Sequence, residues 1–210
     1  MHPGARLPRF GLSSYRAGMD FEHAYREGTP AWDVGAPQPA IVRLAESGVI
    51  TGSVIDIGCG TGENALYLAS RGHEALGLDF APTAIERARE KAEERGIDVT
   101  FVVGDALALE TLDRTFDNAI DCGLFHTFPD ELRLEYERSL RRAIRPGGRV
   151  VILCFSERET GDGGPRRVTQ AEIRAVFASG WTFDSIEPER FVARWPGGGA
   201  AAWLTVLTRI

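Results

Sequence analysis

The sequence predicts a doubly wound α/β fold: a mostly parallel seven-stranded sheet with helices on both faces, ending in an antiparallel hairpin. Three observations carry this. Strand-like apolar runs alternate with helical segments from residue 52 to residue 156, the pattern of a parallel sheet covered on both sides. The first of those strands runs into a turn with glycine at every second place, Gly58-Cys59-Gly60-Thr61-Gly62. The chain then closes with two strand-like runs, 181–193 and 200–210, separated only by RWPGGG. That connection is too short for a crossover helix, so the two strands pair antiparallel.

Each element has its own signal. DFEHAYREG (20–28) reads as a short helix, and TPAWDVGAPQP (29–39) as a loop punctuated by prolines. AIVRLAESG (40–48) has helical spacing and a glycine stop. GSVIDIG (52–58) is a buried strand, and ENALYLASRG (63–72) a helix ended by Gly72. EALGLDF (74–80) is the second strand; the helix 82–96 that follows has Pro82 at its start and Gly96 past its end. The third and fourth strands are 99–106 and 115–123. A helix over 130–144 precedes an RPGG turn and the fifth strand, 149–156. In the helix 168–180, Thr169 and Glu172 have capping-box spacing. Residues 1–19 read as an extension or flexible N-terminus, with Met19 an alternative start, and 20–210 as one domain: lid helices over 20–48 and a core over 52–210.

Composition narrows the function. A chain of 210 residues, 43% hydrophobic, suits a single α/β domain with a sizeable core. A net charge of -6 disfavours a nucleic acid partner, which asks for a basic face. No apolar run approaches the ~20 residues of a membrane helix. Three widely spaced cysteines, Cys59, Cys122 and Cys154, do not form a disulfide framework, which points to a reducing cytoplasm. They also lack the paired spacing of a zinc site, so no metal is expected.

The glycine turn lies where open α/β sheets bind ligands. It is neither the dinucleotide fingerprint G-x-G-x-x-G/A, because Gly62 comes one residue early, nor a P-loop, because no Gly-Lys-Ser/Thr follows. Four acids end four successive strands: Asp56, Asp79, Asp105 and Asp121. Asp79 stands near the ~20-residue separation expected of an acid that accepts from ribose hydroxyls. Phe80 is placed to lie against a purine, Asp105-Ala106 to meet its amino group, and Asp121 to face the reactive end. Acids at such positions also serve as turn-formers and helix caps.

An acid before G-x-G-x-G resembles the S-adenosylmethionine site of class I methyltransferases, in which the turn wraps the amino-acid end of the cofactor. Residues ~20–208 resemble a compact member of that class, and within it the small-molecule branch around thiopurine, halide and thiol methyltransferases. EGTPAWDVGAPQP is similar to the branch's Gly-Thr-Pro-Trp-Asp-x-Gly segment, with Ala31 as an extra residue before Trp32. GLFHTF (123–128) and LCFSERETGDGGPRRVTQAEI (153–173) look like the actinobacterial members that methylate heterocyclic toxins such as hydroxyquinolones. The resemblance implies a Rossmann-like fold, S-adenosylmethionine as cofactor, and a small, aromatic or heterocyclic acceptor methylated at O, N or S. It implies cofactor contacts from Trp32, Asp56, Gly58, Cys59, Gly60, Gly62, Asp79, Phe80, Asp105, Ala106 and Asp121.

On the acceptor side, His126 reads as a base for the acceptor proton or as an orienting residue of its loop. It is grouped with Asp121 as catalytic. Phe125 and Phe128 read as aromatic walls or as core. Trp32 reads as a cover over the cofactor or as an anchor of the N-terminal segment. Arg166 and Arg167 either meet an anionic group of the substrate or are solvated. The alternatives to this function are a halide or thiol methyltransferase and a non-catalytic S-adenosylmethionine-binding protein; a monomer is the expected assembly.

Overall fold

The computed structural model describes residues 21–160 and 164–210. The expectation for residues 1–19, and the stretch 161–163 of the expected polar loop, lie outside the described residues. The sheet has the order β3-β2-β1-β4-β5-β7-β6. Its strands are β1 (Ser53–Ile57), β2 (Glu74–Asp79), β3 (Thr100–Val103), β4 (Phe116–Cys122), β5 (Ile144–Phe155), β6 (Trp181–Val192) and β7 (Gly199–Arg209). Helices are α1 (Phe21–Glu27), α2 (Pro39–Glu46), α3 (Glu63–Ser70), α4 (Pro82–Arg95), α5 (Asp130–Ala143) and α6 (Gln170–Val176). The first five strands pair in parallel, and β7 runs antiparallel to both β5 and β6, as the hairpin spacing required.

β1 is buried at all five positions, which fits a central strand covered on both faces. Its side chains alternate between layers: Ile55 and Ile57 join the apolar layer under α5, and Val54 the opposite layer under α2. The order reverses between β1 and β4, which opens a crevice at the carboxyl ends of these strands.

Three predicted boundaries shift: the third strand, expected over 99–106, ends at Val103, and Ala106 opens a 3-10 stretch instead. The RPGG stretch expected to be a turn lies inside β5, which starts at Ile144; the register between Phe116 and Asn118 absorbs the surplus residues as a bulge. The helix expected over 168–180 shortens to α6, although its capping box forms as the spacing foretold, with Thr169 accepting from the Glu172 N–H. Two 3-10 stretches, Ala106–Leu112 and Phe125–Thr127, had no sequence signal.

The segment before β1 is tied down at both ends. Glu22 of α1 accepts from the Thr83 N–H (3.0 Å) and hydroxyl (2.6 Å). Arg87 donates to the carbonyls of Tyr25 and Gly28, both at 2.6 Å. Gln38 pairs with both backbone groups of Val192, and Arg194 donates to the Thr29 and Pro30 carbonyls. The tip of the β6–β7 hairpin therefore holds the N-terminal loop over the crevice.

Gly62 is where the glycine turn meets the core. Its φ of 84° lies in the left-handed region, and a Cβ there would stand 2.5 Å from the Phe101 ring and 3.1 Å from the Ala88 methyl. Gly62→Ala is expected to destabilise the fold by about 2–4 kcal/mol, combining left-handed strain with overpacking. Denaturant titration checks this; an unchanged midpoint contradicts it.

Candidate active site

A cavity of about 480 Å³ opens at the carboxyl ends of β1, β2 and β4, within the size range of small-molecule sites. The glycine turn forms one wall, and the loop after β4 forms another. The N-terminal loop and the hairpin tip cover them. A smaller slot of about 30 Å³ adjoins it between the ends of β2 and β3.

Of the residues expected to contact a cofactor, Trp32, Gly58, Cys59, Gly60, Asp79 and Phe80 line the cavity. Asp105 and Ala106 line the slot, together with Gly58, Asp79 and Phe80. Asp56, Gly62 and Asp121 line neither. The reason is the same for the two acids: a carboxylate that ends a buried strand is closer to the N–H groups of its own connection than to open space. Asp56 is 1% exposed and accepts from the Ala65 N–H of α3 at 3.2 Å. Asp121 is fully buried, and both its oxygens are committed, Oδ1 to the N–H groups of Leu124 (2.9 Å) and Phe125 (3.1 Å), Oδ2 to the Tyr136 hydroxyl (2.8 Å). It fastens the loop after β4. Gly62 packs on Phe101 beneath the turn.

Asp79 combines both behaviours. Oδ2 accepts from the Gly60 N–H at 2.8 Å and Oδ1 from the Ala81 N–H at 2.9 Å, while the residue remains on the cavity wall. It thereby holds the glycine turn against β2. The Asp105 side chain accepts from the Leu107 N–H, capping the first 3-10 stretch.

Burial governs the ionisation of these acids, and neighbouring charges add to it at Asp56. Burial, with the charges of Asp79 and Asp121, pushes the Asp56 carboxyl up to about 8 against the single N–H that favours its ionised form. Burial raises Asp79 as well and lifts Asp121 to about 6. Asp56 Oδ1 has no hydrogen-bond partner among the described residues. Beneath the glycine turn, one carboxyl oxygen is thus left without a partner among them.

Sequence reasoning missed Tyr25, which stands over the turn. A Cβ on Gly60, whose φ is 55°, would lie 2.6 Å from the Tyr25 hydroxyl, so only glycine fits beneath it. That hydroxyl accepts from the Trp32 indole at 3.0 Å, and Phe21 packs edge-on to both Trp32 and Phe80. The buried position of Tyr25 on α1 was the available signal, but nothing local said which partner it met.

In the loop after β4 His126 lines the cavity, while Phe125 and Phe128, expected as acceptor walls, do not line it. Phe125 is fully buried among Tyr136, Phe177 and the Arg133 guanidinium. Phe128 turns away toward the slot. The one-turn 3-10 geometry after Leu124 directs both inward, against α5. The aromatic walls come instead from Phe155 of β5, Phe191 of β6 and Trp195 of the hairpin tip, with ring centroids 5.5–6.2 Å apart. Arg166 is ion-paired with Asp130 and Glu172, and Arg167 donates to the Pro165 carbonyl. The three cysteines are free. Among the described residues no three His, Cys, Asp or Glu side chains form a metal-binding group, and no helix is long and apolar enough to cross a membrane.

The family described as "Methyltransferase domain" matches residues 54–148. A 2-heptyl-1-hydroxyquinolin-4(1H)-one methyltransferase from Mycobacteroides abscessus is 43% identical over 194 residues, 90% of this chain and 84% of the relative. "Probable thiol methyltransferase 2" of Arabidopsis thaliana is 29% identical, over 79% of this chain and 74% of its own length. A solved structure from work on the conversion of a disulfide bond into a thioacetal group during echinomycin biosynthesis superposes with a TM-score of 0.82 at 38% identity, covering 90% of each chain. The 1,6-didemethyltoxoflavin-N1-methyltransferase of Burkholderia thailandensis shares the fold, with a TM-score of 0.74 at 22% identity over 99% of this chain and 93% of that one.

The raised Asp56 carboxyl has a consequence for stability. Its folded value of about 8 lies above its ordinary 3.8, so the folded protein keeps a proton that the unfolded chain has lost. The stability this contributes is complete below pH ~4 and falls until the pH passes 8. His126, depressed to about 3, acts oppositely but only below its unfolded value near 6.5. Between pH 6.5 and 8 the ligand-free protein is therefore expected to lose about 1–2 kcal/mol, and Asp56→Asn to lose less. Parallel curves for the two proteins in chemical denaturation across that window contradict this origin.

Proposed function

This chain belongs to the class I S-adenosylmethionine-dependent methyltransferases that act on small molecules, and from that premise we propose that its cavity methylates a flat aromatic or heterocyclic acceptor held against Phe155, Phe191 and Trp195. The enzyme uses S-adenosylmethionine, whose sulfonium makes the transferred methyl group electrophilic. The protein's task is then to align the acceptor with that methyl carbon and exclude water.

The residues present fit the cofactor. The observation that carries this assignment is the buried acid cluster under a glycine turn, with the unpaired Asp56 Oδ1 and a Gly60 that admits no Cβ. Such a floor favours a ligand with a cationic amino-acid end. We assign that end to Gly58, Cys59 and Gly60 beneath Tyr25, the ribose to Asp79, and the purine to the slot beside Phe80, Asp105 and Ala106. The T-shaped group of Phe21, Tyr25 and Trp32 closes the mouth over it. Asp121 and Gly62 act through the loops they hold.

The acceptor class rests on the aromatic walls and on the hydroxyquinolone methyltransferase as a 43% identical relative. A heterocyclic toxin is the substrate kind we infer from it. The three free cysteines support a reducing compartment such as the cytoplasm. A screen of hydroxyquinolones, phenols, thiols and halides with labelled methyl donor, scored by mass shift, tests the reading. Turnover of planar heterocycles above thiols and halides is expected; the reverse preference overturns it.

Asp79→Ala is expected to weaken S-adenosylhomocysteine binding by about 1.5–3 kcal/mol, the range for losing charge-assisted hydrogen bonds. Calorimetry reads this directly, and an unchanged dissociation constant in a folded variant removes Asp79 from the ribose site.

A further inference from the structure

We propose that the acceptor enters this site already ionised, as a phenolate-, N-oxide- or thiolate-type anion, and that His126 receives it by donating its Nε2–H instead of removing a proton. The proposal rests on the methyltransferase reading and specifies which acceptors that site takes.

The tautomer follows from one hydrogen bond. The Phe155 backbone N–H, which can only donate, points at His126 Nδ1 at 3.1 Å. Nδ1 must therefore present its lone pair. A neutral imidazole has one donor and one acceptor nitrogen, so the proton is on Nε2. Among the described residues Nε2 has no hydrogen-bond partner, and the ring lines the cavity between Phe155, 4.5 Å away, and Phe191, 6.3 Å away. A nitrogen that already carries its proton has no lone pair with which to take another. Serving as a base through Nδ1 would break the bond that seats the ring.

The charges around the ring agree. Burial, with Arg133 and then Arg167, drives His126 down to about 3, so it is neutral at working pH. Arg133 of α5 is 1% exposed, and its Nε and Nη2 have no partner among the described residues. Its charge is only loosely matched, by Asp130 at 3.4 Å and Glu172 at 3.6 Å. On the adjoining strands, Asp121 is committed to its loop and Tyr136, and burial holds Cys122 and Cys154 as thiols. Phe191 on β6 carries no charge. The acceptor end is thus electropositive where the cofactor end is acidic.

No other described side chain in the cavity takes over the task of a base: Asp79 accepts from the Gly60 and Ala81 N–H groups on the cofactor side. Glu63 is paired with Lys91 (2.7 Å) and Arg95 (2.8 Å). Asp33 accepts from the Gly35 N–H and the Thr61 hydroxyl on the cofactor side. Tyr25 and Cys59 are held protonated by burial. An anionic acceptor needs none of them: its lone pair forms the bond to the methyl carbon, the electron pair of the breaking carbon–sulfur bond returns to sulfur, and the acceptor leaves neutral with no proton to discard.

Two measurements test this. Long-range ¹⁵N–¹H NMR of the protein with S-adenosylhomocysteine should show His126 as the neutral Nε2–H tautomer from pH 5.5 to 9; an Nδ1–H tautomer, or titration between pH 6 and 8, overturns the proposal. For substituted phenols of graded acidity, log kcat/KM should rise with unit slope to each acceptor's own pKa and then level. A common enzyme midpoint shared by all acceptors overturns it. His126→Leu should lower kcat/KM by about 10–100-fold, the loss of a hydrogen bond to an ion, without moving those midpoints, and His126→Gln, which retains an N–H, should recover part of it. Failure to bind S-adenosylhomocysteine in calorimetry instead overturns the methyltransferase reading itself, with the NMR result unaffected.

Discussion

At or just past the carboxyl ends of β1 to β4 stand four carboxylates, and each holds a connection beside the crevice. Asp56 binds the start of α3, Asp79 binds Gly60 and Ala81, Asp105 binds Leu107, and Asp121 binds Leu124 and Phe125. A parallel sheet forces this arrangement. Its strands end side by side, and the loops that follow expose N–H groups that no ladder satisfies. An acid at each strand end satisfies them, but it brings negative charges together beneath a cavity with little water between them. Burial raises Asp56, Asp79 and Asp121, and at Asp56 the charges of Asp79 and Asp121 add to it. A cationic ligand would relieve this, so on the proposed reading the device that shapes the loops also favours the cofactor.

The opposite end of the cavity is built by a different logic. Its walls come from the far side of the sheet, where β5 and the β6–β7 hairpin deliver Phe155, Phe191 and Trp195. Gln38 and Arg194 tie that hairpin to the N-terminal loop, so cofactor cover and acceptor wall share one set of hydrogen bonds. With Arg133 behind His126, the charges change along the cavity, from acids at the turn to a guanidinium beside the proposed acceptor site. Attack by an anion on a cationic methyl donor is the chemistry such a field favours.

The parts legible in the sequence were those with local causes. Alternating apolar runs placed all seven strands, the short RWPGGG connection foretold the antiparallel hairpin, and glycine spacing located the turn. Where a side chain pointed was not local. Asp56 and Asp121 sit at the expected strand ends, yet sequence does not say whether a carboxylate faces the cavity or turns back to its own loop; burial decided for the loop. Phe125 and Phe128 flank a cavity residue in sequence, but the 3-10 turn sends them into the core, and aromatic residues from 30 to 70 positions downstream take the walls. His126 was found, while its proton was not: the tautomer depends on the Phe155 N–H across the sheet.

The claim that the buried acids await a cation is open to calorimetry of S-adenosylmethionine binding at pH 7 in buffers of different ionisation enthalpy. The account predicts that binding releases protons, because the ligand's charge drives Asp56 to ionise, and that Asp56→Asn releases correspondingly fewer. Equal proton release by the two proteins would contradict it.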